Sequence, residues 1–188
     1  MASETSIANR ALQKLGAARI TSLTENSVEA RACSACMTVL RDAELRAHPW
    51  NFANGRATLS ADATPPDFGK ANSFQLPVDC LSPRENDFNS LSKDWLIEGK
   101  KIFTDESAPL FLRYTKKIED VNLMDPLFQE AWACKMAIEM CEELTQSNSK
   151  KAELKDDYKL AIREAKKANA IERIAQQPPE DDWVTCRY

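Results

Sequence analysis

Apolar positions along this chain recur with two different periods, and the switches between them divide it into successive stretches. In the first, Ile7, Ala8, Ala11, Leu12 and Leu15 share one side of a helical repeat. They predict a helix from about Ser3 to Leu15, with Gly16 as its stop. Ala17 to Leu23 reads as a short extended link whose Ile20 and Leu23 turn inward. A second helix is predicted from Asn26, where Asn26 and Glu29 make a capping-box pattern. Val28, Ala32, Ala35, Val39, Ala43 and Ala47 then recur every three or four residues, and Cys33, Cys36 and Leu40 widen that face, as suits a helix packed against two neighbours. Pro49 lacks an N–H and pushes His48 out of the helical region, so the helix should end there. Trp50 and Phe52 follow at once, each able to bury on the order of 150–250 Å². His48, Pro49, Trp50 and Phe52 are therefore expected to form a structural hinge, pinned by aromatic anchors, between helical and extended structure.

From Asn54 to about Asp120 the helical period disappears and short alternating runs replace it. Ala57–Leu59 and Ser73–Leu76 read as strands separated by a loop at Pro65-Pro66. In Leu76-Pro77-Val78-Asp79-Cys80-Leu81 the proline can only end a strand or lie on an edge. Trp95–Glu98 and Lys101–Thr104 flank Gly99-Lys100, a hairpin signal, and Leu110–Tyr114 is one more strand. The stretch predicts a small antiparallel sheet or partial barrel, with at least half of Leu96, Ile97, Ile102 and Phe103 in its core. The turn at Gly99 and Lys100 is left facing outward as a candidate contact.

Helical periodicity returns at Asp125-Pro126, with proline at the favoured first position. The helix from Leu127 to about Gln146 is apolar on most sides and should sit centrally. A fourth runs from about Lys150 to Gln176, with Leu154, Tyr158, Ala161, Ala165 and Ala168 as its inner stripe and Ile162, Ile171 and Ile174 beside it. Pro178-Pro179 then hold the chain extended before Trp183, Val184 and Tyr188. Such a tail either folds back on its own core, hangs loose, or straps onto a neighbouring chain. The fold class expected is mainly α: a four-helix bundle with an inserted small antiparallel β domain and an extended C-terminal tail. Residues 1–53 and 121–176 would form the bundle, 54–120 the insert and 177–188 the docking tail.

Composition narrows the function more by exclusion than by assignment. A chain of 188 residues can bury roughly 70% of its extended surface and needs neither disulfide nor metal to fold. Lys and Arg number 25 against 29 Asp and Glu, a balance unlike that of a dedicated nucleic-acid binder. No apolar run reaches membrane-spanning length, and the first residues, Met1-Ala2-Ser3-Glu4-Thr5, have no signal-peptide pattern. Four of the six cysteines lie in helical patterns, where a thiol acts as a small apolar group. Cys33 and Cys36 lack the second ligand pair that zinc needs and a position at a helix start that would activate a thiol. His48 is the only histidine, and no phosphate loop or nucleophile elbow is present. No catalytic, metal or cofactor-binding residue is therefore expected. The last helix carries eight basic residues between Lys150 and Arg173 against five acidic ones. That leaves a helical nucleic-acid-binding module as the alternative to a solvated or interface face.

Several strings, in their shared order, resemble the tail tubular protein A family, the head-to-tail adaptors of short-tailed bacteriophages. They are Ala11-Leu12-Gln13-Lys14-Leu15-Gly16 with Ile20-Thr21-Ser22-Leu23, Glu29-Ala30, and above all Arg41-Asp42-Ala43-Glu44-Leu45-Arg46-Ala47-His48-Pro49-Trp50-Asn51-Phe52-Ala53. Phe74-Gln75-Leu76-Pro77-Val78-Asp79-Cys80, Trp95-Leu96-Ile97-Glu98-Gly99, Asp125-Pro126-Leu127-Phe128 and Asp182-Trp183-Val184-Thr185-Cys186-Arg187 follow, so the resemblance covers nearly the whole chain. It implies a non-enzymatic virion protein of the neck, made in the host cytoplasm. Such proteins form a ring, typically of twelve subunits, between the portal and the tail tube or nozzle. Double-stranded DNA would pass through the centre during ejection without sequence-specific binding, along acidic or mixed walls. In that setting Pro178, Trp183, Val184, Arg187 and Tyr188 are the expected portal contacts. The hairpin at Gly99 and Lys100 is the expected contact to the next tail component.

Overall fold

The computed structural model describes residues 3–84 and 95–172. In chain order these form α1 (Glu4–Leu15), α2 (Val28–Ala47), β1 (Asn54–Leu59), β2 (Asn72–Gln75), β3 (Cys80–Arg84) and β4 (Trp95–Glu98). After them come β5 (Lys101–Thr104), β6 (Leu110–Lys116), a one-turn 3₁₀ helix (Val121–Leu123), α3 (Pro126–Thr145) and α4 (Asn148–Ile171). Side chains next to each helix set its ends. Ser3 and Ser6 exchange capping-box hydrogen bonds at the start of α1, and Gly16 caps its end in the left-handed conformation. The cap of α2 is Ser27 and not Asn26: Ser27 Oγ accepts from the Ala30 N–H at 3.1 Å, while Asn26 Oδ1 accepts from Arg31. Asp125 accepts from the Leu127 and Phe128 N–H groups, with Pro126 opening α3, and Ser147 accepts from the Lys150 N–H to start α4. Before α2, the Glu25 carboxylate gathers Thr21, Ser22 and Ser27, and these hydrogen bonds hold its pKa down at about 2.

The architecture is an α+β mixture, which corrects the mainly α four-helix bundle that the periodicity predicts. The strands build two separate three-stranded antiparallel sheets: sheet A in the order β1-β6-β3 and sheet B in the order β2-β5-β4. Sheets A and B share a core of their own, made of Phe74, Leu76, Ile102, Leu110, Leu112 and Tyr114. Nor do the helices close a bundle. α3 lies at the centre, burying Phe128, Ala131, Trp132, Ala133, Cys134, Met136, Ala137, Met140 and Cys141, and the other three pack chiefly on it. α2 turns the predicted stripe of Val28, Ala35, Val39, Ala43 and Ala47 outward, with Val39 66% exposed. It buries Ala30, Ala32, Cys33, Cys36, Met37 and Leu45 instead. The reason is area: alanines gain little by burial, so the larger Met37 and Leu45 decide which way the helix faces. α4 fully buries only Leu154, Ala165 and Asn169, leaving Tyr158, Ala161, Ile162 and Ala168 half-covered and Ile171 exposed.

Register fixes what each sheet presents. In sheet A, Gly55 lies opposite Tyr114, whose ring covers it so closely that a Cβ there would sit 2.5 Å from the aromatic carbons. The Tyr114 hydroxyl donates to Asp79 at 3.0 Å. Pro83 is accommodated because β3 is an edge strand. On the opposite face, Arg56 pairs with Arg113 and Arg84 also pairs with Arg113. In sheet B, Ile102 is fully buried and Phe103 half-buried, but Leu96 and Ile97 on the β4 edge are half-exposed.

Candidate functional site

Trp50 occupies the corner where α2, α4 and sheet A meet. α2 ends because His48 is extended (φ -144°, ψ 145°) ahead of Pro49, and the chain then turns Trp50 into the core at 1% exposure. Its indole N–H donates to the Glu44 carbonyl at 3.0 Å. The Trp50 ring stacks on Phe52 at 5.9 Å and meets Phe128 and His48 edge-on at 5.1 and 4.7 Å. Both edge-on geometries are favourable for aromatic quadrupoles. His48, Trp50 and Phe52 are thus brought together, with Phe128 of α3 as a fourth ring.

Two further residues complete the corner that sequence reasoning did not single out. Asn169, near the end of α4, donates to the Pro49 carbonyl at 3.2 Å and lies 3.1 Å from His48 Nε2. Its side-chain oxygen accepts from the Asn51 N–H at 2.7 Å, and its backbone carbonyl accepts from the Asn51 amide. The signal was a lone amide within the alanine stripe of α4. Arg84, at the end of β3, donates to Thr115 Oγ1 at 3.0 Å, to Asn54 Oδ1 and to the Trp50 carbonyl at 3.3 Å. Arg46 of α2 donates to the Leu81 carbonyl of the same strand. The joint is therefore a packed, hydrogen-bonded corner tying helices to sheet.

A second polar cluster holds three helices together. Glu44 of α2 is 5% exposed and accepts the Tyr158 hydroxyl of α4 at 2.9 Å on each oxygen. Lys135 of α3 lies 3.7 Å from the same carboxylate and over the Tyr158 ring. Burial, followed by the bond to Glu44, pushes the Tyr158 hydroxyl well above its ordinary pKa, so it remains a donor.

A cleft of about 180 Å³ is lined by Trp50, Phe52, Leu123, Met124, Asp125, Asn169 and Glu172, smaller than the roughly 300–1,000 Å³ of ligand sites. Two open depressions flank the link from β6 to the 3₁₀ turn. One, of about 560 Å³, holds Val78, Lys116, Lys117, Ile118 and Leu123. The other, of about 430 Å³, holds Val39, Asp42, Lys117 and Glu119. They share Lys117 and Glu119, and each holds exposed apolar groups: Val39 in one, Leu123 (61% exposed) and Val78 (96% exposed) in the other.

The remaining candidates divide plainly. Gly99, at φ 60°, and Lys100 form an exposed tight turn, and the Leu76 N–H donates back to the Lys100 carbonyl at 2.9 Å. Pro178, Trp183, Val184, Arg187 and Tyr188 lie outside the described residues, as do 173–176 of the predicted last helix. Cys33 and Cys36 are buried, and desolvation pushes their thiols up to about 11 and about 12, which keeps both protonated at neutral pH. Among the described residues no group of three or more His, Cys, Asp or Glu could hold a metal ion, and no helix is long and apolar enough to cross a membrane. On α4, Lys150, Lys151 and Lys159 are paired with Glu153, Glu142 and Asp156, so basic charge is interleaved with acidic charge. No protein-family model matches the chain, and none of the curated proteins compared with it does.

Proposed function

We propose that this protein is a structural subunit of a phage head-to-tail adaptor, similar to tail tubular protein A. It would assemble as a ring between portal and tail, in the neck of the virion, with double-stranded DNA passing through the centre. The observation that carries the reading, beside the order of motifs in the sequence, is the pair of depressions that share Lys117 and Glu119, with Val39 exposed in one and Leu123 and Val78 in the other. Large apolar side chains left in water beside charged groups are the physical form of a protein–protein contact. A packed, hydrogen-bonded corner between helices and sheet suits a subunit whose rotation to the next copy must be reproducible enough to close a ring. The chemistry proposed is assembly, with the C-terminal segment reaching the portal and the Gly99-Lys100 turn available to the next tail component.

The test is to mix the protein with a candidate portal and examine the product by electron microscopy and light scattering. The expected result is a portal-dependent ring. Truncation before Pro178 should leave helical content unchanged and weaken portal attachment. A protein that stays monomeric with every portal offered, or a truncation that binds as well as the full chain, contradicts the corresponding part of the reading.

A further inference from the structure

The outer strands of the two sheets are closed to different degrees. At β3 the edge carries Pro83, which has no N–H to offer, a register shift between Cys80 and Ser82, and a Leu81 carbonyl taken by Arg46. β2 is met by Ala61, and its Ser73 carbonyl accepts the Asp62 N–H at 2.8 Å. β1 carries the exposed charge of Arg56 at its middle. Proline, bulges, charges and covering segments are the usual protections of a sheet edge, and β4 has none of them along Trp95, Leu96 and Ile97. Among the described residues nothing hydrogen-bonds to its outer side. Leu96 is 54% and Ile97 50% exposed.

The Leu76 N–H donates to the Lys100 carbonyl, so Lys100 and Ile102 turn their backbone groups toward β2, and Lys101 and Phe103 turn theirs toward β4. Their partners Glu98 and Leu96 are therefore engaged, which leaves the N–H and C=O groups of Trp95 and Ile97 pointing outward. Ile97 lies opposite the fully buried Ile102, and Trp95 packs on the same core, so both side chains face that core. We infer that β4 pairs with β4 of a second copy, antiparallel across a two-fold axis, with Leu96 opposite Leu96 and Trp95 opposite Ile97. A slip of one residue would set outward groups against engaged ones and flip every side chain to the other face. A slip of two would set Leu96 against Glu98 and Trp95 against Gly99, which the turn holds at φ 60°, and the opposite slip would leave only Trp95 paired within β4. The remaining register places an aromatic against a β-branched side chain twice on the core side and Leu against Leu outside, the kind of cross-strand pair that stabilises a sheet. It joins the two copies of sheet B into one sheet of six strands. Two edges of four residues cover less than the roughly 1,200 Å² of a stable interface, so the dimer is transient and builds with concentration. The pairing belongs to the free protein and does not rest on the adaptor reading.

The experiment is sedimentation velocity of the full chain without portal, from about 10 µM to about 1 mM, where the mass should rise from one chain toward two. L96K and L96E should each keep the thermal melt, because Leu96 is half-exposed, and each should stay monomeric, because like charges then meet across the axis. An equimolar mixture of the two should dimerise again, roughly tenfold more tightly than either alone. V78E/L123E should dimerise as wild type does. A wild type that is monomeric throughout overturns the inference. So does a dimer that survives L96K, or a mixture no tighter than its components. Loss of the dimer in V78E/L123E as well would place the contact at the depressions and overturn it too.

Discussion

Two fully buried indoles meet opposite fates in the helical core. Trp50 Nε1 donates to the Glu44 carbonyl, whereas Trp132 Nε1 finds no acceptor among the described residues. Replacing either by phenylalanine removes similar apolar area, so that term cancels in a comparison. W50F also removes a buried hydrogen bond, whereas W132F relieves a donor that was already unmet. A buried polar group left unmet costs about 1–3 kcal/mol, so W50F should be the more destabilising by roughly that amount. Paired denaturant titrations of the two variants measure it, and equal losses would show that the Trp50 bond contributes nothing net. The same local scale explains what could be read from the sequence. Pro49 ends α2 and Asp125-Pro126 opens α3 because those effects act within a turn of the residue. Asn169 was illegible, since an amide becomes a clamp only when folding brings His48, Pro49 and Asn51 to it.

α4 packs on α3 but reaches α2 and the corner through polar groups. With only Leu154 and Ala165 as its fully buried apolar residues, it is joined to α2 by Tyr158 on Glu44 and to the corner by Asn169. A hydroxyl donated to a buried carboxylate is a charge-assisted bond, and Y158F should cost about 1.5–3 kcal/mol. A double-mutant cycle with E44Q should return a coupling of about 1 kcal/mol or more. Additive losses would mean that the two residues act independently. The face of α1 was legible because Ile7, Leu12 and Leu15 outweigh everything opposite them, while α2 misled because its alanines repeat on the side that faces water. The hairpin of β4 and β5 could be read from a two-residue turn. The division into two sheets could not, since β1 pairs with β6 and β2 with β5 across long intervals of chain.

At the scale of the molecule, the surface of the depressions that hold Val39, Leu123 and Val78 decides whether the subunit works alone. These side chains are largely in water, so V78E/L123E should change thermal stability little, within about 0.5 kcal/mol per site. If a neighbouring copy covers them, the same carboxylates would be buried without a partner at every joint. A penalty of about 1.5–3 kcal/mol per joint corresponds to roughly a 10- to 100-fold weaker contact. Because a closed ring repeats each joint, the losses multiply around it, and portal-dependent rings should disappear altogether. F68E provides the control: Phe68 is 91% exposed but belongs to neither depression, so that variant should assemble normally. Sedimentation of the three proteins with portal separates the outcomes. Rings from V78E/L123E equal to wild type would show that the copies meet elsewhere. Failure of F68E as well would show that added negative charge, and not this surface, had blocked assembly.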